Sequence, residues 1–345
     1  MHPKINTDKV KEVTNHMNND YGLLISINNK IIYEKYIGNH KNTKFRIFSL
    51  SKPITALAIF ILAMQNKIKL SDPIDKYNID IPYNNIITIN HLLNHSSGVY
   101  DFSSELYFKL NPKKYFDTIL DNKNNETHFI DFETFLININ KNKPYHKPPK
   151  DFHKNNKYNN TGYDILGYII YLASGIKTND FIKTHIFNKL KMNDSYFQHN
   201  KNKDESIPYE NNKKQGIKEQ QNWFCGNAYI VCSLRDYNKF LNGYHKLINN
   251  KYMNIYKKLY YFGKTNKYEK EYNYFWHLGG GDFTHKHADG KEPYKPLSNT
   301  IMLKYYNKEN EINIIASENY QNTEGFFQND FKNWNTIVDS IMMQL

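Results

Sequence analysis

Phe48-Ser49-Leu50-Ser51-Lys52-Pro53-Ile54-Thr55-Ala56-Leu57-Ala58-Ile59-Phe60-Ile61-Leu62-Ala63-Met64 is the stretch on which the reading of the chain turns. Ile54, Leu57, Ala58, Ile61 and Leu62 recur at the helical period, and Ile59, Phe60, Ala63 and Met64 fill much of the other side. A helix apolar on nearly every side belongs in an interior. Its start, near Ser49, is therefore expected to be buried, and Pro53 is tolerated because it falls in the first turn, where backbone amides have few intrahelical partners. Ser49 and Lys52 stand three positions apart, on one helix face, so the hydroxyl and the amine can meet. Free amides and the positive dipole end at a helix start favour a developing oxyanion. In a lysine-rich chain the same spacing also arises by chance as an N-cap followed by a solvated lysine. The apolar helix behind it argues for the buried alternative.

Outward from this helix, Tyr21 to Ile37 alternates apolar and polar residues around Asn28-Asn29-Lys30, the pattern of a β-hairpin. Thr300 to Tyr306 and Glu311 to Ser317 form a matching pair around Asn307-Lys308-Glu309-Asn310, and Phe331, Trp334, Ile337, Val338, Ile341 and Met342 follow at helical spacing. Strands and a helix from both ends are thus expected to share one layered α/β domain, residues 1–70 with 226–345. Residues 71–225 read as a mainly helical insert. Within it the polar runs Asp121 to His128 and Asn140 to Asn160 look like insertions or mobile loops.

Composition narrows the classes. The chain of 345 residues is 39% hydrophobic, enough for one large or two moderate cores. No run approaches the roughly 18 apolar residues of a spanning helix, and Met1 to Val10 is polar, so the expectation is a soluble, unexported, cytoplasmic protein. Cys225 and Cys232 fit neither a zinc knuckle nor a Cys-x-x-Cys motif and read as buried free thiols. The net charge of +12 rests on lysines scattered through Asn-, Ile- and Tyr-rich sequence, with Arg46 and Arg235 the only arginines. The groove-reading residue is nearly absent, and AT-rich codons alone generate such a surface, which disfavours a nucleic-acid partner.

Four segments, in order, carry a family resemblance. Phe48 to Ala56 resembles the nucleophile helix of the serine β-lactamase-related hydrolases and penicillin-binding proteins, and His91-Leu92-Leu93-Asn94-His95-Ser96-Ser97-Gly98 resembles the loop that follows it. Tyr158-Asn159-Asn160 resembles their Tyr-x-Asn element, continued by a helix from Asp164 to Ile170. His277-Leu278-Gly279-Gly280 resembles the His-x-Gly form of the strand that is Lys-Thr-Gly in many β-lactamases. The resemblance implies an antiparallel sheet of five or more strands flanked by helices, a mainly helical insert, and an active site between them. It implies Ser49 as acylated nucleophile, Lys52 as proton acceptor with Tyr158 sharing that role, and Asn160 orienting Lys52 and the substrate. Gly280 and Ser49 would supply oxyanion-hole amides, with His277, Leu278 and Gly279 along the substrate. No metal or organic cofactor is implied.

The departures bear on substrate. His277 and Leu278 replace a lysine and a hydroxyl that would receive a substrate carboxylate, and leucine cannot hydrogen-bond. A small-molecule or peptide ester, amide or peptide bond is expected in preference to efficient β-lactam turnover. A sensor that acylates without turnover and a scaffold without chemistry remain open, as does the oligomeric state. Asp282, His285, His287 and Asp289 read as a polar loop rather than a metal site, and Trp223, Phe224 and Tyr229 as packing around Gly226. His91 and His95 stand at the i, i+4 spacing of a metal pair, and the family resemblance implies that their segment is structural.

Overall fold

Asn28 and Asn29 both take left-handed backbone angles, with φ of 49° and 67°. Two such residues in succession make a tight turn matching the twist of the strands it joins, and asparagine tolerates them better than a branched residue. They connect β1 (Tyr21–Ile27) to β2 (Lys30–Ile37). The computed structural model describes residues 7–15, 21–103, 131–197, 209–210, 213–214, 226–260, 263–265, 271–279, 299–318 and 331–342.

The remaining strands are β3 (Phe45–Arg46), β4 (Ser195–Phe197), β5 (Tyr209–Glu210), β6 (Lys213–Lys214), β7 (Ile230–Cys232), β8 (Gly263–Thr265), β9 (Tyr272–Gly279), β10 (Asn299–Tyr306) and β11 (Glu311–Glu318). The main sheet has six strands in the order β2-β1-β11-β10-β9-β8. Every neighbouring pair in it is antiparallel, and β1 from one end of the chain lies directly against β11 from the other. A smaller sheet runs β3-β7-β4, and β5 pairs with β6.

The period of two along the strands sorts side chains between two layers. Leu23, Ile25 and Ile27 of β1, with Ile312 and Ile314 of β11, pack against Val10, Ile337, Val338 and Ile341 of the helices Thr7–Asn15 and Phe331–Met342. Leu24, Met302 and Ile315 face the other way, into the core that contains the helix Ser51–Met64. Every residue of that helix from Ser51 to Ala63 is buried. Its Ile, Leu and Phe side chains each contribute roughly 1.5–3 kcal/mol, which together offset the several kcal/mol that desolvating one lysine on the same helix costs.

The α-helix starts at Ser51, close to the expected start near Ser49, and Ser49 sits in the preceding 3₁₀ turn, Phe48–Leu50, in which Phe48 takes a left-handed φ of 44°. One expectation is corrected. Residues 140–160 are not a free insertion. Asn140 Nδ2 donates to the Asp80 carbonyl at 2.8 Å, Tyr145 N to Gly98 O at 2.8 Å and Lys157 N to His95 O at 2.9 Å, so the segment is laced to the 80–98 region. Gly98 has φ of +69°, and a Cβ there would lie 2.1 Å from the His146 carbonyl; only glycine permits this seam. The run 121–128, Cys225, Trp223, Phe224, Gly280 and the cluster Asp282 to Asp289 lie outside the described residues. Cys232 is a buried free thiol. Among the described residues no helix is long and apolar enough to cross a membrane.

Candidate active site

Ser49 is fixed by the turn that carries it. Leu50 N donates to Ile47 O at 2.9 Å, Ile47 N to Ile230 O at 3.1 Å, and Tyr237 Oη to Leu50 O at 3.2 Å. The helix behind it is tied to residues 226–230 by Ser51 Oγ, which accepts from Ile230 N at 3.2 Å, and by Thr55 Oγ1, which donates to Gly226 O at 2.7 Å. A Cβ on Gly226 would fall 2.2 Å from the Tyr163 carbonyl, so glycine lets these two segments close on each other. The non-glycine residue held at positive φ immediately before the serine is the kind of strain that surrounding structure must enforce.

Lys52 is fully buried. Its Nζ lies 3.0 Å from Ser49 Oγ, 2.6 Å from Asn160 Oδ1 and 3.2 Å from the Asn227 carbonyl. Two N–H bonds are taken by Asn160 and Asn227, so the remaining tetrahedral position points at Ser49: a third N–H in the ammonium, a lone pair in the amine. Burial lowers the Lys52 pKa to about 7, against the attraction of Asp164 and Asp101. The amine is therefore well populated at neutral pH.

Tyr158 is placed by the extended end of the 140–160 segment, just before Asn159 caps the helix Asn160–Ser174 by accepting from Gly162 N at 2.7 Å. Its hydroxyl donates to Ser49 Oγ at 2.6 Å. The residue is 49% exposed. Burial of the hydroxyl pushes its pKa up, with the Ser49 hydrogen bond acting the other way. Of the two routes open to a tyrosine here, phenolate or relay, this direction disfavours phenolate. His95 stacks between Tyr158 and Tyr163, with centroids 4.7 Å and 5.0 Å away. His95 Nδ1 lies 3.1 Å from Asn159 N and 3.2 Å from Asn159 O, so it meets both backbone groups of that residue. Burial, then the positive charge of Lys52 and His277, hold the His95 pKa down to about 3. A neutral aromatic wedge thus braces Tyr158. His91 lies elsewhere, its Nδ1 in a capping box with Thr88 and its Nε2 2.7 Å from the Pro149 carbonyl.

On β9, His277 pairs with Met302, Leu278 with Ile301 and Gly279 with Thr300, and the strand runs beside the Ser49 turn. Ser49, Lys52, Tyr158 and Asn160 are brought together, with His277 within electrostatic reach of His95. Among the described residues no group of three His, Cys, Asp or Glu side chains could hold a metal ion.

Sequence reasoning missed Asp101, Asp164 and Asn227. Asp101 Oδ1 accepts from Asn160 N at 3.1 Å, Thr161 N at 3.0 Å and Thr161 Oγ1 at 3.1 Å. Asp164 Oδ2 accepts from Ser103 Oγ and Asn227 Nδ2, both at 2.6 Å, and Oδ1 from Gly226 N at 3.1 Å. These partners lie about sixty residues away in sequence, beyond the reach of local spacing; an acid in the second turn of a buried helix was the one available signal.

The lowered lysine has a stability consequence. Its pKa in the unfolded chain is about 10.4 and about 7 in the fold, so between these values the unfolded chain binds more protons and stability rises with pH. Between pH 7.5 and 9 the wild-type unfolding free energy is expected to rise roughly 1 kcal/mol per pH unit more steeply than that of Lys52→Met. Denaturant titrations at several pH values check this; parallel slopes would mean that Lys52 keeps its proton.

A serine at the head of an apolar helix, with a buried lysine and a tyrosine on its oxygen beside an antiparallel sheet, defines the β-lactamase and penicillin-binding-protein-like superfamily of serine hydrolases. The chain belongs to the Beta-lactamase family, whose pattern matches residues 15–287. It is 33% identical over 157 residues to penicillin-binding protein 4* of Bacillus subtilis (strain 168), covering 45% of this chain and 30% of that protein. It is 28% identical over 214 residues to protein flp of Staphylococcus aureus (strain MW2), covering 59% of this chain and 39% of that protein. The matched stretches thus span well under half the length of these two relatives. Among solved structures, FmtA from Staphylococcus aureus matches with a TM-score of 0.66 at 19% identity, covering 98% of this chain and 88% of that one. D-amino acid amidase from Ochrobactrum anthropi SV3 matches with a TM-score of 0.68 at 17% identity, covering 96% and 98%. At those identities the likeness is one of fold, and it gives this chain the mixed helical and antiparallel-sheet architecture of β-lactamases and transpeptidases.

Proposed function

We propose that this protein hydrolyses an ester, amide or peptide bond through an acyl-enzyme on Ser49. The observation that carries the reading is the convergence on Ser49 Oγ of Tyr158 Oη at 2.6 Å and Lys52 Nζ at 3.0 Å, the lysine buried and near neutrality. Tyr158 already donates to Ser49 Oγ, so the serine's own proton is free to go to the Lys52 lone pair. As Oγ bonds to the substrate carbonyl carbon, that proton passes to Nζ and the carbonyl oxygen takes the electron pair. Collapse breaks the bond to the leaving group, which takes a proton from Tyr158, and Lys52 returns one to the phenol. Water repeats the cycle to release the acid. Because acylation needs the amine form, kcat/KM rises as pH passes through about 7.

The substrate preference follows from residues 277–280. A penicillin brings a carboxylate that must lose its hydration, and an unpaired buried charge is costly. Leu278 offers no donor, and a short acyl ester carries no such charge. Hydrolysis of p-nitrophenyl butyrate is therefore expected to exceed that of nitrocefin in kcat/KM on one preparation. Leu278→Thr is expected to move the ratio towards nitrocefin by roughly 1–3 kcal/mol, the worth of a charge-assisted hydrogen bond. Efficient nitrocefin turnover with negligible esterase activity would overturn the preference.

A further inference from the structure

The two partners that hold Lys52 apart from Ser49 are each held by a buried carboxylate. Asn160 donates its backbone N–H to Asp101 and offers its side-chain oxygen to Lys52. Asn227 donates its side-chain amide to Asp164 and offers its backbone carbonyl to Lys52. Both carboxylates are nearly inaccessible, 6% exposed for Asp101 and 2% for Asp164. A buried carboxylate is costly unless its lone pairs are filled or a cation balances it. Three donors from two segments fill those of Asp164, namely Ser103 and the adjacent Gly226 and Asn227.

We infer that Asp101 and Asp164 are positioning residues that hold the two acceptors of Lys52 in place and, by their charge, set the pH at which the lysine can take the proton of Ser49. This rests on the hydrolase reading above. The other titratable or aromatic groups facing Lys52 are Tyr158 and Tyr163, with rings 4.8 Å and 5.7 Å from Nζ, and His95 and His277. His95 is held neutral and Tyr158 stays a phenol, and the two carboxylates are the negative charges that act on Lys52. Both raise the proton affinity of Lys52, against the larger effect of burial. Asp164 itself is pushed up to about 6 by burial, so its own titration overlaps the acid side of that of Lys52 and is complete above it.

The test is the titration of the Lys52 ε-carbon by NMR in the full-length protein, assigned by its loss in Lys52→Met. It is compared among wild type, Asp101→Asn and Asp164→Asn, with kcat/KM for p-nitrophenyl butyrate measured over the same pH range. Each variant removes a negative charge, so the midpoint is expected to fall by about one unit, and the acid limb of kcat/KM to move the same way. Asp164→Glu, which keeps the charge, is expected to restore most of the midpoint. Asparagine at 101 keeps an oxygen for the Asn160 and Thr161 amides, so that variant reads out even where Asp164→Asn does not fold. A midpoint unmoved in either folded variant, with activity lowered equally at every pH, would mean a purely structural role and overturn the inference. The resonance reports without turnover, so loss of the hydrolase reading would appear separately, as an absent rate.

Discussion

Ser49→Ala is expected to lower kcat/KM on an activated ester by roughly four decades or more while leaving the fold in place. Ser49 Oγ is the meeting point of Lys52 and Tyr158, and no second hydroxyl or thiol among the described residues shares both partners. Removing one oxygen from a half-buried turn makes no large cavity, and the bonds that fix the turn use backbone groups of Ile47, Leu50 and Ile230. Steady-state rates beside a thermal melt check both parts. Near-wild-type turnover by the alanine variant would remove Ser49 from the chemistry.

The second large effect concerns the proton relay. Lys52→Ala and Tyr158→Phe are each expected to cost on the order of 10² to 10⁴ in acylation rate. They act on one oxygen, 3.0 Å and 2.6 Å away, and pass one proton between them. The double variant is therefore expected to fall little below the worse single one, a coupling of several kcal/mol. Losses that simply multiply would show two independent contributions.

The elements legible in the sequence were those with local causes. Asparagines at 28 and 29 announced a turn, the alternating stretches on either side announced a pair of strands, and the apolar run from Ile54 to Met64 announced a buried helix. The Ser49 and Lys52 pair was legible because its spacing is itself a geometry. Less legible was the role of residues 140–160, whose polar composition read as a loop but whose hydrogen bonds to Asp80, His95 and Gly98 lace it to that region. Asp101 and Asp164 were invisible for the same reason: what defines them is which distant amides converge on them after folding. His95 was read as structural, and its position between two tyrosine rings gives that role a specific form.

Reaction with a fluorophosphonate followed by peptide mapping tests the central claim most directly, because phosphonylation needs the activated nucleophile but no particular natural substrate. The account predicts one adduct per chain on the peptide containing Ser49, forming faster as pH rises through about 7 and absent in Ser49→Ala. An adduct on another residue, or hydrolysis that persists with Ser49 unlabelled, would contradict it.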